Sequence, residues 1–182
     1  MQRLIKYSIL ASIILVCFSF TVSEWYEFKD YEGKFVIKLP TIEPMTEHID
    51  TIKTAVGNLN YHTFYYAPKD PNAENKFFQV AYVDYPKGLF PKDSVALVND
   101  FLESTVNSAV ENLKGNLLYV SDLDMNGYKG KQWRTDYNKG NSVMKNKCFL
   151  IDNRMYLVQI ATTRKRALNV EMEKYLDSFK VI

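Results

Sequence analysis

The stretch from Tyr128 to Thr162, YKGKQWRTDYNKGNSVMKNKCFLIDNRMYLVQIAT, decides the fold class. It holds three runs with strand character, Tyr128–Tyr137, Ser142–Ile151 and Met155–Thr162, parted by Gly140 and by Asp152-Asn153. Connections this short join antiparallel neighbours, because a parallel crossover takes about a dozen residues or more. A fourth run, Leu117–Asp124, precedes them across Gly127 and completes a meander.

Two helices bracket the meander. Lys92–Leu113 places Val95, Val98, Leu102, Val106, Ala109 and Leu113 at helical spacing, with Asp93 or Ser94 as cap and Gly115 as stop. Arg164–Ser178 carries Leu168, Met172, Tyr175 and Leu176, then Phe179, on one stripe, and Phe179–Ile182 reads as a short terminal strand. Further strands come before the first helix. Trp25–Phe28 and Phe35–Leu39 flank Glu32-Gly33, and Phe77–Tyr85 ends at Pro86. Thr46–Val56 and Leu59–Ala67 flank Gly57-Asn58, read as a two-residue hairpin turn. Strands, a long helix, strands and a helix predict an α+β domain: an antiparallel β-sheet flanked by helices.

The first 23 residues read differently from the rest. A basic start with Arg3 and Lys6, the apolar run Tyr7–Phe20, and small residues Thr21 and Ser23 form the three-part layout of a secretory signal. The expected division is therefore a signal over 1–23 and one domain over 24–182. Retention as an anchor helix is the alternative, although the run is short for a bilayer span. Cys17 offers a third fate, since Ile14-Leu15-Val16-Cys17 resembles a lipidation box but has Val where Gly, Ala or Ser is usual. Contact with a membrane is expected only through this segment, if it is retained or lipidated.

Removing Arg3 and Lys6 from 23 basic residues leaves 21, against 21 acidic ones. A neutral, well-mixed domain lacks the positive field that nucleic-acid binding needs. Only Cys148 would remain after cleavage, so no internal disulfide is available, and its apolar surroundings predict an inert buried thiol. His48 and His62 are the only histidines. With Gly57-Asn58 as the turn, His62 pairs with Lys53 and the two rings fall on opposite faces, so no metal site is expected. His48 and Asp50 share a face and can touch, which reads as a surface pair. No Gly-x-Ser-x-Gly elbow or phosphate loop occurs, and Asp122–Trp133 lacks the last carboxylate of a calcium loop. No catalytic residue, metal ligand or cofactor is assigned.

Two features remain as candidate contact surfaces. Arg164-Lys165-Arg166 is the one concentrated basic patch, a candidate anion or partner site at the start of the second helix. The aromatic runs Tyr61–Tyr66 and Tyr82–Tyr85 put tyrosines on both sheet faces. One face is core; the other is either exposed or lies under the second helix.

Several phrases carry a family resemblance: Gly33–Pro40, Val83-Asp84-Tyr85-Pro86, Gly127–Arg134, Asp152–Tyr156 and Leu176–Lys180. Together they resemble bacterial exported proteins with a PsbP-like α/β/α sandwich, the fold of the extrinsic PsbP subunit of photosystem II and of a eukaryotic Ran-binding import factor. The resemblance implies that sandwich fold and an accessory, assembly or binding role without catalytic residues or cofactor. The expectation is an exported, non-enzymatic binding or accessory module of the cell envelope, with an unknown protein or small ligand as partner. The alternatives are a hydrolase-like enzyme with a dispersed site and an envelope-anchored structural protein.

Overall fold

Residues 24–91 and 93–182 are described by a computed structural model. The proposed signal and Cys17 lie outside the described residues. In chain order the elements are β1 (Tyr26–Asp30), β2 (Phe35–Leu39), β3 (Thr46–Thr54), β4 (Gly57–Tyr66), β5 (Phe77–Asp84), α1 (Val95–Asn112), β6 (Asn116–Met125), β7 (Tyr128–Tyr137), β8 (Ser142–Ile151) and β9 (Arg154–Thr163). A 3₁₀ turn (Arg164–Arg166), α2 (Val170–Asp177) and β10 (Lys180–Val181) follow.

The expected meander is present as β6-β7-β8-β9. It joins the amino-terminal strands through β5, which pairs antiparallel with β9, giving one sheet in the order β3-β4-β5-β9-β8-β7-β6. The terminal strand β10 joins β1 and β2 in a separate three-stranded sheet. The domain is thus α+β, with a large antiparallel sheet covered on both faces.

The central strands are apolar on both sides, as strands buried on both faces must be. Phe78, Val80 and Tyr82 of β5 point with Tyr156, Val158 and Ile160 of β9 into one core, closed by α2 and the small sheet. Ala81 and Val83 point with Met155 and Leu157 into the other, closed by α1 through Leu102 and Val106. Full burial of side chains of this size contributes about 1.5–3 kcal/mol each.

A pair of ion pairs sets α2 on the sheet. Lys145 and Lys147 of β8 reach Glu173 and Asp177 of α2, respectively. Two residues along a strand span about 6.6–6.8 Å and four along a helix about 6 Å, so the two rows match. The lysines' alkyl stems are nearly covered while the carboxylates stay exposed.

Several boundaries differ from the sequence reading. The β3–β4 turn is Ala55-Val56, with Thr54 opposite Gly57. Gly57 lies at φ +113°, the left-handed position that follows a tight turn, and so starts β4 rather than forming the turn's centre. His62 consequently faces Ile49, four residues from Lys53. A shift by an even number preserves which face each side chain takes, so the histidines still point apart. The helix expected over Arg164–Ser178 begins only at Val170. Asn169 caps it, its Oδ1 accepting from the Met172 amide at 3.1 Å, and Leu168, expected in the buried stripe, is 89% exposed. At the end of α1 the left-handed residue is Lys114, not Gly115. Gly115 is needed for space instead: a Cβ there would lie 2.4 Å from Cγ2 of Thr135. Ser94 occupies the cap position of α1 without making a side-chain cap bond.

Candidate ligand cleft beside the long helix

Helix α1 packs chiefly on β7 and β8, at one half of its sheet face. Along its other flank it leaves a cleft of ≈ 620 Å³ over β4, β5 and β9. The floor is apolar, with Tyr61, Phe77, Met155 and Leu157, and Phe101 and Ala109 of the helix overhang it. Ser104, Ser108 and Asn112, four residues apart, form a polar line along the helix wall. No lining residue carries a charge. Burial pushes the hydroxyl pKa of Tyr61 and Tyr85 further up, so both stay neutral.

One end of the floor is polar by construction. Gln79, Gln159 and Asn146 are directly opposite one another on β5, β9 and β8. Their amides form a chain: Gln79 Nε2 donates to Gln159 Oε1 at 2.8 Å, and Gln159 Nε2 donates to Asn146 Oδ1 at 2.7 Å. Asn146 Nδ2 then donates to the carbonyls of Trp133 and Met144. Asn146 is buried, so water cannot substitute for its partners, while Gln159 borders the cleft. Gln79 and Gln159 both line the cleft, and the row ends in the interior at Asn146.

A larger hollow of ≈ 710 Å³ lies at the end of the sheet beside β10 and is lined by charged groups. Its central cation is committed to holding the fold. Arg154 donates to both Asp84 oxygens at 2.7 and 2.6 Å and to the Glu32 carbonyl at 2.7 Å, and it stacks 4.5 Å over Tyr82. With Tyr156 Oη donating to the Gly33 carbonyl at 2.7 Å, it clamps the β1–β2 hairpin to the large sheet.

The residues singled out from sequence fall elsewhere. Arg164-Lys165-Arg166 forms the 3₁₀ turn and does not start α2. Arg164 pairs with Asp136 at 3.0 Å, and Arg166 donates to the carbonyls of Asn72 and Ala73, both at 2.6 Å. Lys165 is exposed and makes no ion pair among the described residues. His48 Nε2 lies 3.1 Å from Asp50 Oδ1 on the surface, while His62 stacks on Tyr82 with ring centroids 4.5 Å apart. Cys148 is fully buried, and burial pushes its thiol up to about 12. Asp124 accepts from the Gly127 amide and pairs with Lys129, and Asp122 pairs with Lys131, so this segment is a closed turn. Tyr66 and Tyr82 lie on the face closed by the second helix, one of the two covers the sequence allows, while Tyr61 and Tyr85 on the other face border the cleft beside the first.

Sequence reasoning missed the amide row. Its signal was present: Gln79 and Gln159 each interrupt an otherwise apolar central strand, and Asn146 sits between lysines. Ser104, Ser108 and Asn112 were legible as a helical line, yet nothing in sequence says what such a line faces.

No protein-family model matches the chain, and no curated protein matches its sequence. By structure, the chain is similar to cyanobacterial PsbP (CyanoP) from Synechocystis sp. PCC 6803, known from a solution structure. The TM-score is 0.54 at 14% identity, covering 90% of this chain and 96% of that one. The fold is PsbP-like.

Proposed function

We propose that this chain is an exported, non-enzymatic binding or accessory module of the cell envelope, and that its ligand seat is the uncharged cleft beside α1. The amide chain ending at Gln79 carries the reading. Folding a row of three amides into a sheet interior sacrifices apolar packing, and here it sets two coupled amides, Gln79 and Gln159, at the wall of a neutral, aromatic-floored cleft. The cleft's volume lies in the range usual for small-molecule sites, about 300–1,000 Å³. A ligand that fits is neutral and amphipathic, with an apolar body on Tyr61, Phe77 and Phe101 and hydroxyl or amide groups toward Ser104, Ser108 and Gln79. A charged ligand would lose its hydration with nothing to pair against.

The titratable groups support binding over catalysis. An acid–base catalyst needs a pKa brought toward working pH. Here Tyr61, Tyr82, Tyr156, Tyr175 and Cys148 are raised, and Asp122 and Asp124 are lowered, each shift holding the group in the state it already has at neutral pH. Among the described residues no group of three or more His, Cys, Asp and Glu is placed to hold a metal.

Calorimetric titration of the exported protein with three probes sharing one alkyl chain tests the reading: octyl glucoside, octanoate and octyltrimethylammonium, each below micelle concentration. Binding of octyl glucoside alone, lost in Ser108→Trp, is expected. No binding of octyl glucoside, or equal binding by Ser108→Trp, would overturn it.

A further inference from the structure

Among the described residues the large sheet ends in two open strands, β6 and β3, whose outer edges pair with no further strand. The two edges are built differently. On β6 the pairing with β7 slips between Leu117 and Tyr119, a bulge that breaks the straight row of outward groups. On β3 all nine residues from Thr46 to Thr54 pair with β4 without a break. That strand has no proline, and its only lysine, Lys53, stands near its end. Ile49, in the middle of this stretch, is 51% exposed. Along Thr46–Ile52 the edge has no proline, lysine or bulge, and its only fixed charges are Glu47 and Asp50.

A straight edge of this kind pairs most simply with itself. Alternate residues send their backbone groups outward, so in an antiparallel self-pair the two-fold axis must pass through a residue and not between two. Five registers centre on the strand, and the axis through Ile52 sets Asp50 against Thr54 and pairs no charges. An axis through His48 sets imidazole against imidazole. One through Asp50 sets carboxylate against carboxylate, which is destabilising. One through Thr51 sets Ile49 against Lys53. The axis through Ile49 is the one that pairs opposite groups with no like charges face to face: Ile49 meets Ile49, and His48 of each copy meets Asp50 of the other, whereas the Asp50 axis sets Glu47 against Lys53 but keeps its two carboxylates opposed. Within one chain His48 and Asp50 already share a face, 3.1 Å apart. Their cross-strand neighbours on β4 are Thr63 and Tyr61, neither of them charged, so nothing on that strand competes for the pair. Glu47, on the opposite face, falls against Thr51 of the second copy.

We propose that β3 is an intermolecular edge at which two copies of this chain join antiparallel about a two-fold axis through Ile49, making their sheets continuous. This rests on β3 alone and is independent of the ligand cleft.

Oxidative cross-linking in cells expressing the full chain tests it, in a Cys17→Ser background so that Cys148, which is buried, is the only native thiol. Ile49→Cys should give a disulfide dimer as the main product. Leu118→Cys, equally exposed but on the bulged edge, should not. Adding Asp50→Lys to Ile49→Cys should abolish the dimer, and the exchange His48→Asp with Asp50→His should restore it. Light scattering of the chain without introduced cysteines should give twice the chain mass. Equal cross-linking at positions 49 and 118, indifference to Asp50→Lys, failure of the exchange to restore the dimer, or a monomeric mass would each overturn the proposal.

Discussion

Replacing Gln159 by Leu is the sharpest probe of the amide row. Gln159 is its middle member, accepting from Gln79 and donating to Asn146. Leucine is similar in size and apolar, so the change opens no large void and adds some favourable burial. Against that, it strands two partners. Asn146, 1% exposed, keeps its two donor contacts but loses the only donor to its Oδ1. A buried polar atom left unsatisfied costs about 1–3 kcal/mol. Gln79 borders the cleft and can turn its freed amide to water, so its loss is small. The balance is a destabilisation of about 1–3 kcal/mol, which for a domain of this size lowers the melting temperature by about 2–12 °C. Gln79→Leu should cost clearly less, because it strands only an acceptor beside the cleft. The double change Gln159→Leu with Asn146→Leu should cost less than the two single changes together, since it removes both ends of one interaction. Denaturant unfolding followed by circular dichroism measures all four variants. If Gln159→Leu is neutral or stabilising, or if the two single changes simply add, the row is not a coupled network and its link to the cleft fails.

Four other outcomes are expected. Cys148→Ala should cost about 1 kcal/mol or somewhat more in urea unfolding, as removal of one buried small group does, and leave ligand binding intact; the native thiol should stay unreactive toward Ellman's reagent at pH 8, because its pKa is pushed up to about 12. Gly130→Ala should fail to accumulate as folded protein, since the new Cβ would lie 2.3 Å from the Cys148 carbonyl oxygen and 2.6 Å from Cδ1 of Phe149; wild-type yield and melting point would refute this. Mass spectrometry of exported protein should find Glu24 as its first residue, whereas an intact Met1 or an acylated Cys17 would overturn cleavage. Within the basic patch, Lys165→Glu should weaken binding of an anionic partner without loss of stability, while Arg164→Glu should also destabilise by breaking its pair with Asp136; equal anion binding by wild type and Lys165→Glu removes the patch from consideration.

The fold was legible where the code is local. Tyr128–Tyr137 and Ser142–Ile151 appear with the boundaries that Gly127, Gly140 and Asp152-Asn153 announce, because turn chemistry and two-residue alternation act over a few positions. The failures lie where packing decides. Nothing local distinguishes Leu168 from a buried stripe residue; it is Asn169, hydrogen-bonded to Asn75 as well as to the Met172 amide, that delays α2 and turns Leu168 outward. The same limit hid the cleft. Its walls come from β4, β5, β9 and α1, brought together by the long-range pairing of β5 with β9, and a helix's apolar stripe says that it covers a sheet without saying which half. Gln79 and Gln159 were each visible as a polar interruption, but eighty positions separate them, and only the register Gln79–Gln159 makes one interaction of two anomalies. A polar residue inside an apolar central strand is therefore best read as one half of a pair whose other half lies in another such strand. By that rule Gln79, Gln159 and Asn146 form one such row among the described residues, and two of its members line the cleft.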